Sequence, residues 1–281
     1  MSQSSTNSAS ILRPESVQQL VIEPLTKESV AFQVSTTVEV EGPEARFPIV
    51  TEDPSAAWTA EAAEISADTA TFDELVVSVK ALKSLVVVSN ELAEDSSPAA
   101  ASLIGARLVE SLKREIDSAY FGSTVLNGPD GLGSITPTTV YGGNPFADAD
   151  GFIEGLAAAE QLGLSVDTWV ASPATVVKLQ KLRKATGSNE PLLSTDAAGP
   201  VGRTLLGVPL VAAPEVADGL VYGIPRSRSF VVLRRGVTVT LDSSAFFSSD
   251  STAIRAVARV AFAFPQEAAI VAVLEDSGDV S

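Results

Sequence analysis

The stretch Val86–Asp117, VVVSNELAEDSSPAAASLIGARLVESLKREID, constrains the fold more than any other part of the chain. A β-branched run, suited to a pleated sheet, passes through a short acidic turn into a long helical pattern. Ser97 and Pro98 stand as N-cap and first helical residue. A serine hydroxyl can accept from an orphan N–H at that point, and proline has none to lose. Apolar residues then recur at Ile104, Leu108, Leu112, Ile116 and Tyr120, with Leu103 and Ala119 widening the stripe. Gly122 supplies the stop. The pattern predicts a helix over 98–121, a rod of roughly 36 Å, with Glu110 and Arg114 paired on its wet face.

Residues 1 to about 10 are polar and read as disordered, followed by a short helix or turn near Pro14–Leu20. Ala31–Val40 alternates and predicts one strand. Glu41–Phe72 carries only isolated apolar anchors, among them Phe47, Ile49, Trp58 and Ile65. Their area is too small to offset the entropy of ordering the segment alone. Unstructured loops of this length are uncommon, so a long hairpin that leaves the body and docks elsewhere is expected. Glu74–Val88 predicts a β run with one bend.

Downstream, Asn127–Gly133 (NGPDGLG) reads as a glycine turn. Asp148 or Asp150 should cap a helix through Phe152, Leu156, Ala159 and Leu162 that ends at Gly163. Thr168–Ala171 predicts a strand, and Ser172-Pro173 repeats the cap signal for a helix to about Ala185, closed by Gly187. Thr204–Leu210 reads as a glycine-centred turn between strands. From Leu220 the pattern is nearly all β: Leu220–Ile224, Ser229–Arg234, Val237–Leu241, Ala253–Phe264 and Ala268–Leu274. Helices and strands fall in separate blocks, which gives an α+β class.

The chemistry is bounded by what the chain lacks. It has no Cys and no His, so disulfides, thiolate metal sites and Ser-His-Asp catalysis are excluded. No apolar run approaches the length of a membrane span, and MSQSSTNSAS has neither the basic nor the apolar region of a signal peptide. The net charge of −16 argues against sequence-reading contact with nucleic acid. Hydrophobic residues reach 45% and only 7 of 281 residues are Lys. Such a surface is either hidden against partners or the product of an Ala/Val-rich composition. GPDGLG lacks the Gly-Lys-Ser/Thr ending of a phosphate loop, and ADADG (Ala147–Gly151) lacks the remaining ligands of a calcium loop. The acids Glu91, Glu94 and Asp95 lie ahead of a helix N-terminus, where negative charge is favoured. A carboxylate-dependent hydrolase would need two acids facing one cleft, and no such pair stands out. Arg226, Arg228, Arg234 and Arg235 have a single aromatic, Phe230, among them and suit salt bridges to an acidic neighbour better than nucleic-acid stacking. No cofactor, metal or catalytic residue is expected.

The order of these parts resembles the major capsid proteins of tailed bacteriophages, which share the Hong Kong 97 fold. The resemblance is carried by Trp58-Thr-Ala-Glu61 on the hairpin and by Ser89, Glu91, Leu92, Asp95 and Ser96 in the acidic turn, leading into Ser97-Pro98. It is carried further by Trp169, Pro173, Leu179, Leu182 and Gly187, by Leu205–Val211, and by Ile254, Arg255, Arg259, Pro265 and Ala268. It spans about residues 25–275.

The resemblance implies an N-terminal arm with the first strand (1–40), an extended loop (41–72), a peripheral domain (73–121 and 225–281) whose spine helix is 98–121, and an axial domain (122–224). It implies copies assembling into hexamers and pentamers of an icosahedral head around double-stranded DNA, contacted weakly and non-specifically. Portal, scaffolding and decoration proteins would be partners, with no membrane involved. The chain would be a virion component assembled in the host cytoplasm. Inter-subunit contacts are expected at Arg46, Phe47, Trp58, Glu61, Ile65, Arg226, Arg228, Arg234 and Arg235. An encapsulin-like nanocompartment shell is the near alternative. In the founding member of the fold, a Lys on the loop bonds covalently to an Asn of a neighbour. Here Glu41–Phe72 holds no Lys and no Asn follows Asn189, so the shell should be held non-covalently or clamped by an accessory protein. Only about 25 residues precede the resemblance, so a separate scaffold or prior processing is expected.

Overall fold

A computed structural model describes residues 29–52, 71–89, 98–143, 146, 148–182, 203–234, 237–242 and 244–275. In chain order the elements are α1 (Val30–Val34), β1 (Thr36–Val40), β2 (Glu44–Glu52), β3 (Thr71–Ser78), β4 (Lys80–Ser89), α2 (Pro98–Phe121), β5 (Thr138–Tyr141), α3 (Asp150–Gln161), β6 (Thr168–Ala171) and α4 (Pro173–Gln180). There follow β7 (Thr204–Leu205), β8 (Val208–Ala212), β9 (Leu220–Ile224), β10 (Phe230–Arg234), β11 (Thr238–Asp242), β12 (Ser251–Ala263) and β13 (Val271–Leu274).

The first sheet is organised by β12, whose 13 residues carry an antiparallel ladder to β4 over 251–260. β12 also pairs with β11 over 253–257 and with β10 over 260–263, and β1 adds to β10 in parallel. The strand period of two sorts its side chains. Ala256, Ala258, Val260 and Phe262 face inward onto the α2 stripe Leu108, Leu112, Ile116 and Tyr120. Residues 253, 255, 257, 259 and 261 therefore lie on the outer face. The helix bounds expected from Pro98 and Gly122 hold, and all four described stripe residues are buried. Burying a Leu or Ile side chain contributes about 1.5–3 kcal/mol, so this stripe is the strongest bond between rod and sheet.

The second sheet runs β5-β13-β9-β6-β8-β7. α3 and α4 cover one face around Trp169, which meets Phe152 edge-on at 5.4 Å. A Cβ on Gly223 would lie 2.5 Å from the Trp169 ring, so only glycine fits that strand position. Val170, Tyr222 and Ala272, on the opposite face, join the core beneath α2. One apolar core thus reaches into both sheets.

Several expectations change. The strand expected over Ala31–Val40 begins only at Thr36, because residues 30–34 form the short helix α1. Glu110 pairs with Lys113 at 3.7 Å rather than with Arg114. The N-cap of α3 is Ala149, without a side-chain cap bond, while Asp148 Oδ1 accepts from the N–H of Asp150. α4 ends at Gln180 rather than Ala185, and Gly187 lies outside the described residues. The last strand, expected beside the spine helix with the other C-terminal strands, pairs instead with β5 and β9 in the second sheet. The bend expected in Glu74–Val88 falls at Val79, between β3 and β4. The turn through Leu206 and Gly207 has positive φ at both residues, as a tight hairpin requires.

Candidate functional site

The hairpin and the surface from which it rises form the candidate site. Among the described residues β2 and β3 pair only with each other, from Glu44↔Ser78 to Glu52↔Thr71, with an irregularity between Val50 and Glu52. Arg46 and Glu74 clasp the ladder at 3.0 Å on an exposed flank. At the base, Ala45 packs with Val232 of β10 and Ala261 of β12, and Phe47, Val77 and Val79 close around them. The Phe47 ring lies 5.0 Å from that of Phe230. The Val79 N–H donates to the Pro43 carbonyl at 2.9 Å where the chain turns from hairpin into sheet. Small apolar side chains at 45, 232 and 261 let the hairpin sit close on the outer face.

Beyond Ala261 that face exposes Arg259 and Arg255 of β12, while Ala253 at the far end is buried. Leu85 is 59% exposed and Val87 45%, although both lie on a strand paired across to β12. The registers Lys83↔Val257, Leu85↔Arg255 and Ala81↔Arg259 place these residues side by side. Leu85, Ala253, Ala245, Phe246, Thr240 and Asp242 line a shallow depression there with Arg255. Arg255 Nε donates to Thr240 Oγ1 at 3.2 Å. Asp242 accepts from the Ser244 hydroxyl at 2.6 Å and its N–H at 2.8 Å, which holds its carboxyl below the usual range.

The start of the described chain is clamped to α2. Asp117 is 2% exposed and accepts from the Ser29 hydroxyl at 2.7 Å, the Ala31 N–H at 2.9 Å and the Val30 N–H at 3.2 Å. The Val30 and Ala31 N–H groups are orphan donors at the start of α1, and their capture by Asp117 explains why residues 30–34 turn helical. Burial raises the Asp117 pKa, while these bonds and the charge of Lys113 lower it. One turn on, the hydroxyls of Tyr120, Ser35 and Ser229 form a buried triangle with sides of 2.7–2.8 Å. Burial pushes the Tyr120 hydroxyl up to about 12, so it stays protonated and able to donate.

Of the contact residues expected from sequence, Arg46 and Phe47 belong to the hairpin base just described. Trp58, Glu61, Ile65 and Arg235 lie outside the described residues, as do Glu91, Leu92, Asp95 and Ser97 of the acidic motif. Ser89 ends β4 opposite Ser251, and Pro98 opens α2. Arg226 and Arg228 project from an exposed turn ahead of β10. Arg226 Nε donates to the Ser35 carbonyl at 3.3 Å and Arg234 Nε to the Glu41 carbonyl at 2.8 Å. Asp167 takes the backbone N–H of Arg226 instead of its guanidinium. Sequence reasoning missed Lys83, Leu85, Val87 and the Asp117 clamp. The alternation of KSLVVVS held a signal for the first three. Among the described residues no group of three or more acidic side chains is placed to hold a metal, and no helix is long and apolar enough to cross a membrane.

A family model described as the phage capsid family matches residues 9–274. No curated protein matches. Among solved structures, one described as "Capsid of empty GTA particle computed with C5 symmetry" is similar with a TM-score of 0.72 at 17% identity, covering 98% of this chain and 94% of that one. A chain from Gordonia phage Cozz gives a TM-score of 0.70 at 16% identity, covering 99% and 98%. One from Mycobacterium phage Bobi gives 0.69 at 19% identity, covering 95% and 99%.

Proposed function

Because the chain belongs to the phage capsid family, we propose that it works as the shell subunit of a phage-type head, with the β2–β3 hairpin reaching over a neighbouring copy. It is a structural protein, and no catalytic step is assigned to it. The family match over 9–274 carries the reading of a capsid shell. The hairpin supports the finer mechanism, for among the described residues it forms a two-stranded sheet of its own that packs on the body at its base.

Contacts of this kind are heterologous: one patch of each copy meets a different patch of the next. Such contacts close into rings when the rotation between copies allows it. Hexamers and pentamers built this way would tile an icosahedral head around DNA. Residues 41–72 contain no Lys and residues 190–281 no Asn, so the loop has no Lys–Asn bond of the founding member's kind to make, which supports a shell held by repeated non-covalent contacts. Arg226 and Arg228, exposed on one turn, are set to meet acids of an adjacent copy.

Replacing residues 53–70 by a two-residue Asn-Gly turn, a deletion that keeps Glu52 opposite Thr71, tests the mechanism. The subunit should remain folded, since the base of the hairpin is kept, and should form no closed particles under negative stain. Normal shells from the deletion would remove the hairpin from the mechanism. A full-length protein that stays monomeric at high concentration would remove the shell reading itself.

A further inference from the structure

We propose that the bare half of the first sheet's outer face is an electrostatic seat for the acidic hairpin segment of a second copy, with Lys83, Arg255 and Arg259 around the Leu85–Val87 strip. The inference rests on the shell reading and names the receiving surface and the chemistry of the contact.

Coverage is the first observation. Among the described residues, the base of the chain's own hairpin covers the Ala261 end of the outer face, and Ala245 and Phe246 flank the Ala253 end, where Ala253 is buried. The next residues outward along the strand, Arg259 and Arg255, are exposed, as are Lys83, Leu85 and Val87 of β4. An exposed strand pair with adjacent aliphatic side chains is a costly surface to leave in water.

The second observation is charge. The chain carries −16 overall, yet this patch holds three cations against one acid. That acid, Asp242, is already engaged by Ser244. The patch therefore presents a net positive field within a negative molecule, and suits an acidic partner that also offers apolar side chains.

The third is the composition of the candidate occupant. From Phe47 to Val79 the sequence holds seven acids, including Asp53, Glu61, Glu64 and Asp68, and not one Lys or Arg. Trp58 and Ile65 lie among them and match the aliphatic strip and the Phe246 depression. Charge complementarity of this kind sets register and speeds encounter, and salt weakens it.

Charge reversal tests the pairing. A face-reversed chain carries Lys83→Glu, Arg255→Glu and Arg259→Glu, and a hairpin-reversed chain carries Asp53→Lys, Glu61→Lys and Glu64→Lys. Each is expected to stay folded by circular dichroism and to lose shell yield by at least about tenfold at low salt, as close like charges impose. The chain with all six changes should recover wild-type yield to within about twofold. A one-to-one mixture of the two reversed chains should also recover particles containing both. Wild-type yield from the face-reversed chain overturns the proposal, as does failure of the six-change chain to recover. Recovery by the six-change chain without recovery by the mixture overturns the second copy as occupant, for the hairpin would then seat on its own body. Failure of the wild-type chain to form shells strikes the shell reading alone. Salt-sensitive dimers of the wild-type chain, abolished in either reversed chain, would still report this contact.

Discussion

Replacing Asp117 by alanine removes the single carboxylate that ties the beginning of α1 to the rod. Three donors lose their acceptor. The Ser29 hydroxyl and the Ala31 N–H are in fully buried residues, and the Val30 N–H is only partly buried. A buried donor left unpaired costs about 1–3 kcal/mol, so the two buried groups set a range of about 2–6 kcal/mol. Relief of the buried charge offsets part of this, because burial is the largest influence on the Asp117 carboxyl. The expected loss is therefore about 2–4 kcal/mol. Urea unfolding of dissociated subunits at one fixed low concentration reads it, since assembly would add stability by mass action. The midpoint should fall with an unchanged slope. Glu115→Ala, at an exposed acid two residues away, should change stability by no more than about 0.5 kcal/mol. If the two variants unfold at the same midpoint, the clamp does not hold α1 and the reasoning fails.

The same carboxyl predicts a pH dependence. Its folded pKa lies above the ordinary 3.8, so the folded chain binds that proton more tightly than the unfolded chain. Its contribution is greatest at low pH and is lost as pH rises from 3.8 through the folded value. Asp117→Asn should remove that slope, seen as a wild-type-minus-variant difference in urea midpoint that falls with rising pH. Gly131→Ala would place a Cβ 2.1 Å from the Ala119 carbonyl oxygen and 2.5 Å from that of Gly122, both backbone atoms at the end of α2. A loss of about 3 kcal/mol or more is expected, read as a Tm lower by several degrees. Phe47→Ala removes the ring stacked near Phe230 and should cost the subunit about 1–2 kcal/mol. It should lower particle yield in negative stain more than subunit stability, because the hairpin loses its footing.

The sequence made α2 legible end to end, because the proline at 98, the glycine at 122 and the i, i+4 stripe are all local signals. The tight turn at Leu206-Gly207 and the Ser172 cap, whose hydroxyl accepts from Thr175 at 3.1 Å, were legible for the same reason. α1 was not. Its alternation looks like a strand, and what makes it helical is a carboxylate 86–88 residues away. The placement of β13 was hidden likewise, since its pairing with β5 and β9 joins segments far apart in sequence. A hairpin was expected over 41–72, but its return strand β3 runs on to Ser78, and its seat was not foreseen. Lys83, Arg255 and Arg259 become one patch only when β4 and β12 are laid in register. Asp117 left a faint trace: it sits eight residues after buried Val109 and beside buried Ile116, a helical position that water does not reach.

The way the hairpin meets the body has a mechanical consequence. Among the described residues it shares no ladder with either sheet; its footing on the body is a patch of apolar side chains, and the Val79 amide-to-carbonyl bond closes its own two ends. A ladder would lock the arm at one pitch, whereas a contact without directional bonds lets it tilt by a few degrees at little cost. Curvature in a closed container obliges identical bricks to meet at unequal angles. In the shell proposed above, such a joint would absorb the inequality and spare the rod and the sheets.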